Sequence, residues 1–212
     1  MGSSFSLNLF SPPLQHNPPS PIEVIYIEGN IGCGKSSVLS YLQELGEITV
    51  PESVSDWSFL DTFYKDYSCA FQLQTEIALS RRTHLYNGIK AAQHTNKQRL
   101  FVERSVKTGA LFSEGISPQE NVVLNNLYTT LSSQHVKFFT EKTIYISTDP
   151  SVCQERIKTR NRTSEHSIDN NYLCRLHTIF ESHFNSLPNT LILTPHKSVP
   201  ASEIALHILD EI

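Results

Sequence analysis

The segment Gly29-Asn30-Ile31-Gly32-Cys33-Gly34-Lys35-Ser36-Ser37 constrains this chain more than any other. It fits the phosphate-loop pattern G-x-x-x-x-G-K-[ST], with Gly29, Gly34, Lys35 and Ser36 in the fixed places. Glycines let the backbone curl until its N–H groups converge on phosphate oxygens. Lys35 supplies a point charge for the outer phosphates, and the Ser36 hydroxyl suits Mg²⁺. Such a loop needs a buried strand before it and a helix after it, whose N-terminal end adds positive potential. Both are legible. Val24-Ile25-Tyr26-Ile27 is a short apolar run, and Val38, Leu42 and Leu45 recur at helical spacing until Gly46.

Alternation continues beyond the loop. Strands are expected at Ile48–Val50, Leu100–Val102, Thr143–Ser147 and Leu191–Leu193, and helices at about Cys69–Leu85, at 117–137, after Asp149-Pro150, and from about Pro200. Strands and helices in alternation behind a phosphate loop predict an α/β fold, a parallel sheet flanked by helices on both faces. Its 212 residues fit one domain over 22–212. Residues 1–21 hold five of the 11 prolines and no Lys, Arg, Asp or Glu, and read as a disordered Pro/Ser-rich arm.

A net charge of −4 gives no reason to expect a nucleic-acid partner, and no apolar run is long enough for a membrane span. The arm lacks the apolar core of a signal peptide and the arginines of a transit peptide, so a cytoplasmic location is expected. Met1-Gly2-Ser3-Ser4-Phe5-Ser6 matches a myristoylation pattern, but no basic cluster provides a second membrane signal. Cys33, Cys69, Cys153 and Cys174 form no C-x-x-C pair and read as free thiols.

In parallel sheets ligands gather at the carboxyl ends of the strands. Three polar groups fall there: Glu52, Glu103-Arg104-Ser105, and the arginines Arg156, Arg160 and Arg162. Phosphoryl transfer needs a carboxylate for the acceptor, an acid near the metal and cations for the moving charge. The three groups match that list.

With these motifs in order, the chain resembles the deoxynucleoside kinases, cellular and viral, over about residues 22–185. Ile27–Ser36 resembles their nucleotide loop, and Glu52-Ser53-Val54-Ser55-Asp56-Trp57 their E-P-V-x-x-W segment, with Ser53 in place of Pro. Tyr64-Lys65-Asp66 is similar to Y-x-D, Phe71-Gln72 to F-Q, and Glu103-Arg104-Ser105 to [DE]-R-S. Residues 156–165 resemble the arginine-rich lid. The resemblance implies a P-loop kinase fold, ATP and Mg²⁺, and a homodimer joined by long helices. It implies Glu52 as base for the sugar 5′-hydroxyl, Arg104 beside it, Trp57 on the nucleoside pocket, and Tyr64 and Glu165 on the 3′-hydroxyl. Gln72 would read the base edge, Glu103 and Ser36 would serve Mg²⁺, and Arg156, Arg160 and Arg162 would attend the phosphates.

Purine- and cytidine-preferring members of that family carry an Arg seven residues past the Gln and an Asp four past the Ser. Counted from Gln72 and Ser105, those places hold Leu79 and Gly109. With Thr75 between, this predicts an uncharged pocket that suits thymidine first and deoxycytidine second. Three rivals stand beside this reading. A nucleoside monophosphate kinase needs cations for its acceptor, and Lys65 is the sole basic residue in 52–79. A GTP switch needs N-K-x-D, and Asn96-Lys97-Gln98-Arg99 ends in Arg. A nucleotide-binding scaffold without turnover would have no use for Lys35, Ser36, Glu52, Glu103 and Arg104 together.

Overall fold

The computed structural model describes residues 21–133 and 139–212. Apart from Pro21, the proline-rich arm and its myristoylation pattern lie outside those residues. So does the end of the helix expected at 117–137.

Five strands form one parallel sheet: β1 (Ile22–Gly29), β2 (Thr49–Val50), β3 (Arg99–Glu103), β4 (Phe139–Ile146) and β5 (Thr190–Leu193), in spatial order β2-β3-β1-β4-β5. The period of two along a strand explains how the sheet buries both faces. On β1, Ile25 and Ile27 join one core cluster while Ile22, Val24 and Tyr26 join another. On β3, Phe101 joins the first and Leu100 and Val102 the second. Among the described residues seven α-helices accompany the sheet: α1 (Lys35–Glu44), α2 (Leu60–Asp66), α3 (Ala70–His94), α4 (Pro118–Ser133), α5 (Pro150–Arg160), α6 (Asn170–Ser186) and α7 (Ala201–Glu211). The first cluster lies under α1, α6 and α7, the second under α3.

Helix α3 runs to His94, well past the expected end at Leu85. Gly88 does not stop it, because the helix needs a hydrogen there. A Cβ at Gly88 would sit 2.4 Å from Val50 Cγ2 and 3.2 Å from Leu100 Cδ2, so the glycine lets α3 approach β2 and β3. Helix α6 was not anticipated, yet its signals are local. The Asp169 carboxylate accepts from the Tyr172 N–H at 2.7 Å as an N-cap, and Leu173, Leu176, Phe180 and Phe184 repeat at helical spacing toward the core.

Candidate active site

The phosphate loop leaves the end of β1 and enters α1. Gly32 has φ +79, a left-handed value, and a Cβ there would lie 2.6 Å from the Cys153 carbonyl oxygen, so both conformation and space require glycine. Asn30 braces the loop from within. Its carboxamide donates to the Leu173 carbonyl at 2.9 Å and accepts from the Ile31 N–H at 2.8 Å. Lys35 is buried, and its ammonium donates back to the Asn30 carbonyl at 2.9 Å, lying across the loop. Arg156 on α5 donates to the Cys33 carbonyl at 2.7 Å, which brings the arginine segment over the loop.

One cavity of about 470 Å³ opens from this loop. Its floor is Ile31, Gly32, Cys33, Gly34, Lys35, Ser36 and Ser37, and Glu103 and Arg104 stand at the end of β3. Glu52, Trp57 and Tyr64 close one side, and Arg156, Arg160, Arg162 and Glu165 another. Gly29 and Asn30 do not line the cavity and act as the loop's frame. The other loop and charged residues expected at the site meet around this single space.

Glu52 is the electrostatic centre of the acceptor side. Burial would raise its pKa, but Arg81, Arg104 and Lys35 outweigh burial and hold the carboxyl below the ordinary range. Arg81 Nε and Nη2 donate to Glu52 Oε1 at 3.0 and 2.5 Å, and Arg104 Nε lies 3.5 Å from Oε2. Arg104 sits at φ +65, an uncommon backbone for an arginine, and its guanidinium rests over the Phe112 and Phe180 rings. Tyr64 has its phenol pKa raised by burial and then by the Glu165 carboxylate, so it is a neutral hydroxyl at any physiological pH.

Ser36 donates to both Glu103 oxygens at 3.0 and 3.1 Å, and Lys35 Nζ is 3.9 Å from Glu103 Oε1. A hydroxyl and a carboxylate facing each other at a phosphate loop form a hard oxygen pair that fits Mg²⁺. Among the described residues no group of three or more His, Cys, Asp or Glu could hold a metal, so the rest of such a cation's shell would come from phosphates and water. On the lid, Glu165 is buried and receives Arg160 Nε and Nη2 at 2.9 and 2.6 Å, with Arg162 Nη1 at 3.5 Å.

Four expected pocket residues stand elsewhere. Gln72 is exposed on α3 and Leu79 is 50% exposed. Thr75 does not line the cavity, and its hydroxyl donates to the Phe71 carbonyl at 2.8 Å. Gly109 is buried but faces α4, where a Cβ would lie 2.8 Å from the Tyr128 ring. The correction has one source: the F-Q match picked the wrong glutamine. Gln74, two residues on, is 3% exposed, lines the cavity and accepts from the Tyr128 hydroxyl at 3.4 Å. A shift of two residues turns a helical side chain by about 200°, from solvent to cavity. Seven residues past Gln74 is Arg81, so the pocket is not uncharged. Further apolar lining outside the motifs includes Leu60, Leu73 and Ile77 on one side and Phe112 and Ile204 on others. The signal that finds Gln74 and Arg81 is the buried stripe Ala70, Leu73, Ile77, Ala78, Leu85, on whose side both stand.

The statistical model of the deoxynucleoside kinase family matches residues 25–207. Among curated proteins, the one named "Putative kinase protein 029R" of Invertebrate iridescent virus 3 is 32% identical over 182 residues, 83% of this chain and 90% of its own. "Probable deoxycytidine kinase FPV151" of Fowlpox virus is 31% identical over 163 residues, 72% of this chain and 68% of its own. Among solved structures, a deoxyadenosine kinase from M. mycoides with bound dATP superposes with a TM-score of 0.72 at 19% identity, over 89% of this chain and 98% of that one. With the family model matching residues 25–207, and the viral relative 32% identical over 83% of the chain, the chain belongs to the deoxynucleoside kinase family.

Proposed function

We propose that this protein transfers the γ-phosphoryl group of ATP to the 5′-hydroxyl of a pyrimidine deoxynucleoside, thymidine ahead of deoxycytidine. The observation that carries the reading is Glu52: an ionised carboxylate, its side chain 11% exposed, that shares one cavity with Lys35 and Ser36 of the phosphate loop. Glu52 accepts the proton of the 5′-hydroxyl as its oxygen approaches the γ-phosphorus. Arg104 beside it offsets the charge gathering there. Lys35, Arg156, Arg160 and Arg162 surround the phosphoryl group as it moves, and such preplaced charge is the main protein contribution to this chemistry. Mg²⁺ held by Ser36 and Glu103 would neutralise phosphate charge. Tyr64 and Glu165 hydrogen-bond the 3′-hydroxyl, and Trp57 packs against the nucleoside.

The base preference now rests on Gln74. Its carbonyl accepts from Tyr128, which leaves its NH₂ as donor toward the cavity. The carboxylates that line the cavity have other roles in this reading: Glu52 serves the 5′-hydroxyl, Glu165 the 3′-hydroxyl, and Glu103 stays with Ser36 on the metal side. A base edge with carbonyl acceptors therefore has a partner, and an exocyclic amino group has no free carboxylate. That supports thymine over cytosine, and Gly109 still lacks the Asp partner of the purine- and cytidine-preferring members; Arg81, at the place of their Arg but paired with Glu52, and the fowlpox relative's name keep deoxycytidine in second place. A steady-state panel of the four natural deoxynucleosides with ATP and Mg²⁺ tests it. Thymidine should give the highest kcat/KM. Leadership by deoxyadenosine or deoxyguanosine would refute the base assignment, and no turnover with any of the four would refute the kinase reading.

The same reading includes a homodimer. Support comes from exposed apolar side chains on α3 and α4: Leu79 and Tyr86 on α3, and Val122 and Val123 on α4.

A further inference from the structure

All three guanidinium nitrogens of Arg81 donate within this chain. Nε and Nη2 donate to Glu52 Oε1 at 3.0 and 2.5 Å, and Nη1 donates to the Ser105 carbonyl at 3.2 Å. The residue is 7% exposed and lines the cavity. Glu52 has little support of its own. It follows a two-residue strand and Pro51, in a stretch without regular structure, and its N–H reaches Glu103 Oε2 only at 3.4 Å. Its carboxylate must be aimed from outside.

Two cations could do so, and they differ. Arg104 approaches Oε2 at 3.5 Å from a loop position and leaves its own Nη1 without a hydrogen-bond partner. Arg81 grips Oε1 with two donors and stands in the middle of the 25-residue helix α3, while its third donor ties that helix to the loop after β3. A guanidinium fork fixes direction as well as charge. Gln74 and Arg81 also lie on one face of α3, two turns and about 10 Å of rise apart, so one rigid element sets both the amide at the base end and the carboxylate at the sugar end.

We propose that Arg81 is the positioning residue for Glu52, holding the carboxylate in the orientation from which it takes the 5′-proton. The proposal rests on the reading of Glu52 as that base. It assigns Arg81 no contact with substrate.

The test is a double-mutant cycle on turnover with thymidine, ATP and Mg²⁺: wild type, Glu52→Gln, Arg81→Met and the pair. Arg81→Met should lower kcat about 10- to 100-fold, with the KM for ATP within about twofold of wild type, because the lost interaction serves the reacting group alone. The pair should be no slower than Glu52→Gln by more than about threefold, since a base already disabled cannot be further misplaced. An Arg81→Met kcat within about twofold of wild type would overturn the proposal, and so would a double mutant slowed by the full product of the two single effects. If Arg81→Met fails to fold, Arg81→Lys takes its place in the cycle. It retains charge and stem but not the fork, so it should stay at least about fivefold slow and non-additive with Glu52→Gln. Full turnover in Arg81→Lys would show that charge alone suffices and overturn the proposal. Failure of the underlying reading looks different, because there Glu52→Gln by itself keeps near-normal turnover.

Discussion

At the scale of single residues, Glu52 and the lid arginines make separable predictions. Glu52→Gln keeps the size of the side chain and one carbonyl acceptor for Arg81, but cannot take a proton. Turnover should fall by roughly 10²–10⁴ with substrate affinity largely kept, measured as kcat against nucleoside KM. Arg160 donates twice to Glu165, and Arg162 lies 3.5 Å from it. Their charge acts when the phosphoryl group is in flight, so Arg160→Ala and Arg162→Ala should lower kcat by about 10-fold or more and nucleoside KM far less. A lid mutant that changes nucleoside KM alone would take these residues out of that role. Much of this arrangement was legible from the chain, because Lys35, Ser36, Glu52, Glu103 and Arg104 sit where strand ends and loop geometry put them. Strand alternation reports position reliably, since each residue has one of two faces.

Elements carry the errors, and the reasons are geometric. On a helix, a match to a two-residue motif can slip by a turn fragment and still look periodic, and that is how Gln72 stood in for Gln74. The end of α3 falls at His94 rather than the expected Leu85, and the helix runs on through Gly88, whose packing against Val50 and Leu100 makes it a contact. Gly109 was expected to line an uncharged pocket for the base, yet it gives room for Tyr128, which in turn holds Gln74. Gly109→Ala should therefore press on the Tyr128 ring and destabilise the fold by about 1–3 kcal/mol, the usual cost of overpacking. Any loss of activity should fall equally on thymidine and deoxyuridine. A selective loss with thymidine, in a steady-state comparison of the two, would return Gly109 to the base pocket.

Over the whole molecule, the parallel sheet gathers the ends of β1, β2 and β3 at one edge, and the arginine segment after β4 completes the ring of charge. None of these segments is a site alone. If α3 and α4 also join two copies, a charge on their exposed apolar side chains should separate them: Val123→Asp should shift the sedimentation coefficient from dimer to monomer, and wild type sedimenting as a monomer would refute the dimer. The central claim is transfer of the γ-phosphoryl group to a deoxynucleoside 5′-hydroxyl, and following the label from γ-³²P-ATP tests it most directly. With thymidine and Mg²⁺, label should appear in thymidine 5′-monophosphate with the wild-type protein and not with Lys35→Ala. Label that stays in ATP or goes only to inorganic phosphate, with every natural deoxynucleoside supplied, would contradict the account.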